Sequence, residues 1–144
     1  MGLFNKLKEP IFVKESSTAE VQLQQLKALL ESAPKEVLPA IERDIKLIQY
    51  GIQGEKNITF ELKNSHMPLL ILHDLYLSKG DLSAQIDYLV ITRKKHYVIE
   101  CKNLFGNIEI NNNGDFIRTM NYGNKTVKEA IYSPITQNRR HMEC

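Results

Sequence analysis

Residues 85–102 leave this chain little freedom. Two apolar runs flank the basic turn Arg93-Lys94-Lys95. Fold them as an antiparallel hairpin in which Thr92 faces Lys95, and the same register carried outward sets Asp87 against Glu100 and Gln85 against Lys102. Directly opposed residues project from one face of a sheet. Two carboxylates and an ammonium then converge at a sheet edge. Opposed like charges weaken a ladder, so two acids held this way call for a cation, and a divalent metal is the natural candidate.

The same register sorts the rest of the hairpin. Gln85, Asp87, Leu89, Ile91, Val98, Glu100 and Lys102 share one face; Ile86, Tyr88, Val90, Tyr97, Ile99 and Cys101 share the other. Both faces are largely apolar, so the sheet is expected to be covered on both sides, in part by helices. Strands are expected at 69–77, 84–92 and 96–102, with Ser78-Lys79-Gly80-Asp81 as the first turn. A second hairpin, 106–110 with 116–120, closes around Asn111-Asn112-Asn113-Gly114.

Helices are expected before and after these strands. Ser17 or Thr18 caps one that starts near Ala19 and carries Val21, Leu23, Leu26, Leu29 and Leu30 at helical spacing. Pro34 ends it or begins the next, in which Val37, Leu38, Ile41, Ile45, Leu47 and Ile48 continue the period. Gly51 and Gly54 weaken that helix but let another backbone or a ligand approach closely. Ser133-Pro134 starts a last helix, and the chain stops about three turns into it, as a fragment of a longer protein would. Residues 1–16 read as irregular, and 121–132 fit no single pattern.

At 144 residues, the chain suits one domain with a real core. No stretch approaches the ~20 apolar residues of a membrane span, so no membrane partner is expected. Lys6, Lys8 and Glu9 break up the start, so no signal peptide is expected, and Lys6 breaks the myristoylation pattern. Cys101 and Cys144 have neither metal nor redox spacing, and a reduced, cytoplasmic setting is the default. The four histidines show no zinc spacing. A net charge of +2 does not by itself indicate nucleic acid. Lys125, Lys128, Arg139 and Arg140 outnumber Glu129 and Glu143 in the tail, a surplus that suits phosphate or an ordinary solvated face.

Glu100-x-Lys102 near a strand end puts both side chains on one face. The carboxylate suits Mg²⁺, which takes hard oxygen ligands and keeps several waters. The lysine can orient a water or steady charge on a phosphate. A lone Glu-x-Lys is more often a surface ladder; an apposed Asp87 with apolar residues on both sides favours a phosphodiester-hydrolysing site. Glu55 divides evenly between helix surface and site. Gln137 alone reads as helix surface, and Gln85 as a partner of Lys102 or of backbone.

Five motifs in order carry a family resemblance: Gly51-x-x-Gly54-Glu55, Leu72-His73-Asp74-Leu75, Gln85-Ile86-Asp87, Ile99-Glu100-Cys101-Lys102-Asn103 with Gly106, and Ser133-Pro134-x-x-Gln137. From Gly51 to His141 the chain resembles the NERD (nuclease-related) domain of the PD-(D/E)xK nuclease-like superfamily. The resemblance implies an α/β (α+β) restriction-endonuclease-like core. In it a central mixed sheet is flanked by helices, in the order helix, three antiparallel strands, helix and a further strand. Residues 50–144 would form this core, truncated at its C-terminal end. Residues 1–49 would be an N-terminal helical extension, a cap, regulator or homodimer interface.

The resemblance also assigns roles. Asp87 and Glu100 would bind Mg²⁺, with Mn²⁺ as substitute, and Glu55 would complete or tune the metal set. Lys102 would assist the attacking water, and Gln137 is the glutamine of the later helix. Gln85, Arg139 and Arg140 are candidates for contact with the substrate. The implied activity is a Mg²⁺-dependent endonuclease acting on nucleic acid, most naturally DNA. The alternative is a non-catalytic nucleic-acid-binding or protein-interaction module of the same fold.

Overall fold

The computed structural model describes residues 2–143. In chain order the elements are α1 (Leu3–Lys6), β1 (Ile11–Lys14), α2 (Thr18–Ser32), α3 (Leu38–Lys63), β2 (Leu70–Lys79), β3 (Leu82–Ile91), β4 (His96–Ile99), β5 (Asn107–Ile110), β6 (Phe116–Tyr122), β7 (Lys125–Ile131) and α4 (Pro134–Glu143).

Strands β1 to β4 form one sheet in that order, with β1 parallel to β2 and the other pairs antiparallel. The sheet is therefore mixed, and helices lie on both faces. Strands β5 to β7 form a separate antiparallel sheet.

The alternation of β3 decides which helix covers which face. Tyr88 and Val90 point toward α3 and bury with Leu69 and Ile71, while Phe12, Ile58, Leu62 and Ile99 pack around them. Burying one side chain of this size contributes about 1.5–3 kcal/mol. Tyr88 is fully enclosed, and its hydroxyl donates to the Glu55 carbonyl at 2.7 Å and pairs with Thr59 Oγ1 at 2.8 Å. A buried tyrosine needs such partners, and a polar turn of α3 supplies both. On the other face α4 lies against β4, where Asn138 Nδ2 donates to the Val98 carbonyl at 3.3 Å. Ser133 starts α4: its carbonyl accepts from Gln137 N at 3.0 Å, and its hydroxyl accepts from Thr136 N at 3.4 Å.

Two expectations change. Residues 1–16 are not irregular throughout: β1 joins the sheet, and Ile11 N donates to the Leu69 carbonyl at 2.8 Å. A four-residue strand whose partner lies far along the chain leaves no local pattern. Residues 121–132 are the end of β6 and all of β7, so the second hairpin becomes three strands. α3 runs unbroken through residue 50, so segments 1–49 and 50–144 share a helix as well as a sheet.

Candidate active site

The β3–β4 turn lacks glycine, and Thr92 replaces it with its side chain. Its hydroxyl donates to the Lys95 carbonyl at 2.8 Å and accepts from Lys94 N at 3.2 Å and Lys95 N at 3.0 Å. The register is the expected one: Ile91 pairs with His96, and Tyr88 with Ile99. One step further sets Asp87 beside Glu100. There the ladder ends, because Asp87 Oδ2 accepts from Cys101 N at 2.7 Å in place of a main-chain acceptor.

The expected opposition of Gln85 and Lys102 therefore does not form. Gln85 pairs with Tyr76 of β2, and its amide donates to Asp74 Oδ1 at 2.7 Å. Lys102 instead turns back on its own segment, with Nζ 2.6 Å from Glu100 Oε1. Burial pushes the Asp87 carboxyl up to about 6, and the charges of Glu100 and Glu55 add to that; the Cys101 amide and Lys102 oppose it without prevailing. The Cys101 thiol is pushed up to about 11 by burial and by Asp87, which keeps it protonated and unreactive.

Helix α3 meets this segment closely. A Cβ on Gly54 would stand 2.5 Å from Asn103 Cβ and 3.0 Å from Cys101 Sγ. Gly51, one turn earlier, has nothing within 4 Å. Only the second glycine of the motif is a packing requirement, and it sets the height of the Cys101–Asn103 segment that carries Lys102.

Glu55 follows on α3 and is already engaged. His73 Nε2 lies 2.9 Å from Glu55 Oε2, Ser17 Oγ donates to the same oxygen at 3.4 Å, and the opposite ring nitrogen meets the Glu15 carbonyl at 3.1 Å. The His73 ring stacks on Tyr88, with centroids 4.5 Å apart. Burial alone would lower the His73 pKa; Glu55, the Glu15 carbonyl and Asp74 outweigh it and raise it.

The β2–β3 register would set Asp74 opposite Asp87, completing a row of three acids with Glu100. Asp74 leaves the ladder instead, with φ +52° between the pairs His73–Tyr88 and Leu75–Ile86. Its carboxylate takes Thr18 N at 2.7 Å as well as Gln85, and Lys14 bonds the His73 carbonyl at 2.9 Å beside it. Burial would raise the Asp74 pKa, but these donors and Lys14 bring it below the usual value. Left-handed backbone is tolerable for Asp, and it spares the sheet a third opposed carboxylate.

Helix α4 brings its polar residues to two places. Gln137 and Arg140 line a cavity of about 310 Å³ with Leu82, Ser83, Ala84, Tyr132 and His141, and Arg140 donates to the Tyr132 hydroxyl at 3.2 Å. Arg139 lies on the far side, lining a recess with Val98, Glu100 and Asn138. His141 Nδ1 stands 3.5 Å from Glu100 Oε2, with side-chain exposures of 12% and 6%.

The model of NERD, the nuclease-related domain, matches residues 50–144. The chain belongs to the NERD family. No curated protein and no solved structure matches it.

Within the NERD span, Asp87, Glu100 and Lys102 come together. Glu55 lies across the sheet from them, held by His73, and Gln137 faces the cavity rather than the acids. Among the described residues, no three His, Cys, Asp or Glu stand close enough to hold a metal ion. Two carboxylates nonetheless suit one. Asp87 is pushed up by burial and by neighbouring charge, and Glu100 Oε2 is buried without a hydrogen-bond partner. Mg²⁺ is usually held by one or two carboxylates with waters and phosphate, so this pair fits it. Zinc spacing says nothing of His141, which stands beside Glu100. Its signal was its place four residues after Gln137, on the same helix face.

Proposed function

We propose that this NERD domain hydrolyses phosphodiester bonds in nucleic acid, most naturally DNA, with Mg²⁺. What supports the reading is Asp87 beside Glu100 at the end of the β3–β4 ladder, with Lys102 on one Glu100 oxygen and the other oxygen unspent.

Asp87 and Glu100 would hold the ion, and Mn²⁺ would substitute. When bound, the ion supplies a bound water of lowered pKa and charge for the phosphate. Lys102 carries three donors, of which Glu100 takes one, leaving others to orient the attacking water or meet a phosphate oxygen. Glu55 tunes the pair through its charge on Asp87 rather than as a ligand, because among the described residues it does not come close enough to the pair to make a three-residue metal cluster. Gln137 and Arg140 would contact the substrate backbone from the cavity, Arg139 from the far side and Gln85 from β3.

The test is Mg²⁺ and Mn²⁺ calorimetry on wild type and Glu100→Ala, with plasmid nicking followed on the same samples. Binding and nicking should both vanish in the variant. DNA binding by wild type with no cleavage in either metal would overturn the catalytic reading.

A further inference from the structure

Three side-chain atoms among the described residues are buried without a hydrogen-bond partner: Glu100 Oε2, Asn138 Oδ1 and His141 Nδ1. All three belong to residues at the seam of α4 with β4. Unpaired buried polar atoms are rare and each costs free energy, so a concentration of them in one seam marks something unfinished. Asn138 is fixed there by its bond to the Val98 carbonyl. His141 and Glu100 face each other at 3.5 Å, just beyond a good hydrogen bond.

We propose that His141 is the positioning residue of Glu100. In the tautomer with its proton on Nδ1, the ring donates to Glu100 Oε2, while Lys102 holds Oε1. A movement of α4 by a few tenths of an ångström closes the bond. Donors on both oxygens then fix the rotation of the carboxylate plane and leave lone pairs for a cation. Partners that orient a ligating group commonly change metal affinity by about 10–100-fold. His141 also lines the 310 Å³ cavity with Gln137 and Arg140, so it joins the acid pair to the surface where substrate would lie. The inference rests on the reading of Asp87 and Glu100 as the cation-holding pair.

The experiment uses the whole chain. Mn²⁺ affinity is measured by calorimetry for wild type, His141→Leu and His141→Asn. The asparagine amide N–H sits near the position of the imidazole Nδ1–H, whereas leucine keeps bulk and loses the donor. Positioning predicts about 10–100-fold weaker binding in His141→Leu and recovery to within a few-fold in His141→Asn. A packing role predicts the reverse order, and equal affinities in all three would also overturn the proposal. In parallel, the ¹⁵N resonances of the His141 ring are recorded without metal in wild type and Glu100→Ala. The Nδ1–H signature should be present in wild type and change in the variant. If wild type binds no Mn²⁺ but that signature responds to Glu100→Ala, the metal reading fails and the positioning contact stands. If the signature does not respond, the contact itself is wrong.

Discussion

The two faces of the central sheet carry similar chemistry and treat it in opposite ways. Toward α3, Glu55, His73, Tyr88 and Thr59 lie in one network in which each side chain has a partner. Toward α4, Glu100, Asn138 and His141 each leave one buried atom without one. A saturated network stiffens a fold, whereas a buried polar atom left without a partner costs free energy. The contrast separates two acids that the motifs group together: Glu55 has His73 as a partner, and Glu100 keeps one buried oxygen without one.

The largest test of that contrast pairs His73→Leu with Glu100→Gln in metal-free urea unfolding. The first leaves the Glu55 carboxylate, 21% exposed, with only the long Ser17 bond and should cost about 2–3 kcal/mol. The second should cost little or stabilise. Equal losses would erase the distinction between the faces. Because the His73 pKa is raised, its ion-pair stabilisation is complete below 6.5 and is lost as pH rises through the folded value. The His73→Leu penalty should therefore be larger at mildly acidic pH than at alkaline pH.

Next in size is Gly54→Ala, whose methyl would meet Asn103 Cβ at 2.5 Å. It should destabilise by about 1–3 kcal/mol by overpacking. Gly51→Ala, with open space around it, should stabilise by up to about 1 kcal/mol through helix propensity. Thermal melts of both would show whether closeness to residues 101–103 is confined to one glycine.

Asp87→Asn sharpens the other side. A carboxyl raised to about 6 stabilises the fold while protonated; that contribution, complete below 3.8, is lost as pH rises through 6. Metal-free wild type should therefore fall behind the variant as pH rises through this window. Mg²⁺ at 100 times its Kd should return about 2.7 kcal/mol to wild type and less to the variant. Parallel pH curves for the two proteins would remove Asp87 from the charge cluster.

The smallest effect belongs to Ser17→Ala. It removes the cap bond to Ala19 N, 3.3 Å, and the 3.4 Å contact with Glu55, and should cost about 0.5–1 kcal/mol by chemical denaturation. A loss above that of His73→Leu would mean that the N-terminal segment, not His73, anchors Glu55.

The hairpin was legible because alternation and a single turn fix register, and a one-residue slip would have turned every side chain over. The start of α4 was legible because Ser133-Pro134 is a local signal. Strand β1 was not, since its identity comes from β2. Nor was β7, where Lys125, Lys128 and Glu129 obscure the alternation of Val127 and Ile131. The early end of β4 was hidden as well, because a side chain, Asp87 Oδ2, captures the amide on which the pattern would have continued. The division of labour between Glu55 and Glu100 depends on which acid finds a partner in three dimensions, and spacing carries no such information.

Strand β1 has a consequence for how this domain keeps to itself. It pairs with the first residues, Leu70 to Leu72, of β2, a ten-residue strand rich in leucine, while β3 runs along the other side. A chain begun at residue 50 would lose β1 and half of α3, and would offer β2 as a bare, sticky rim to its neighbours. Bare rims of that kind recruit strands from other chains and seed aggregates. Light scattering of such a shortened chain, turbid where the whole chain stays clear, would show β1 acting as a guard rail against self-association.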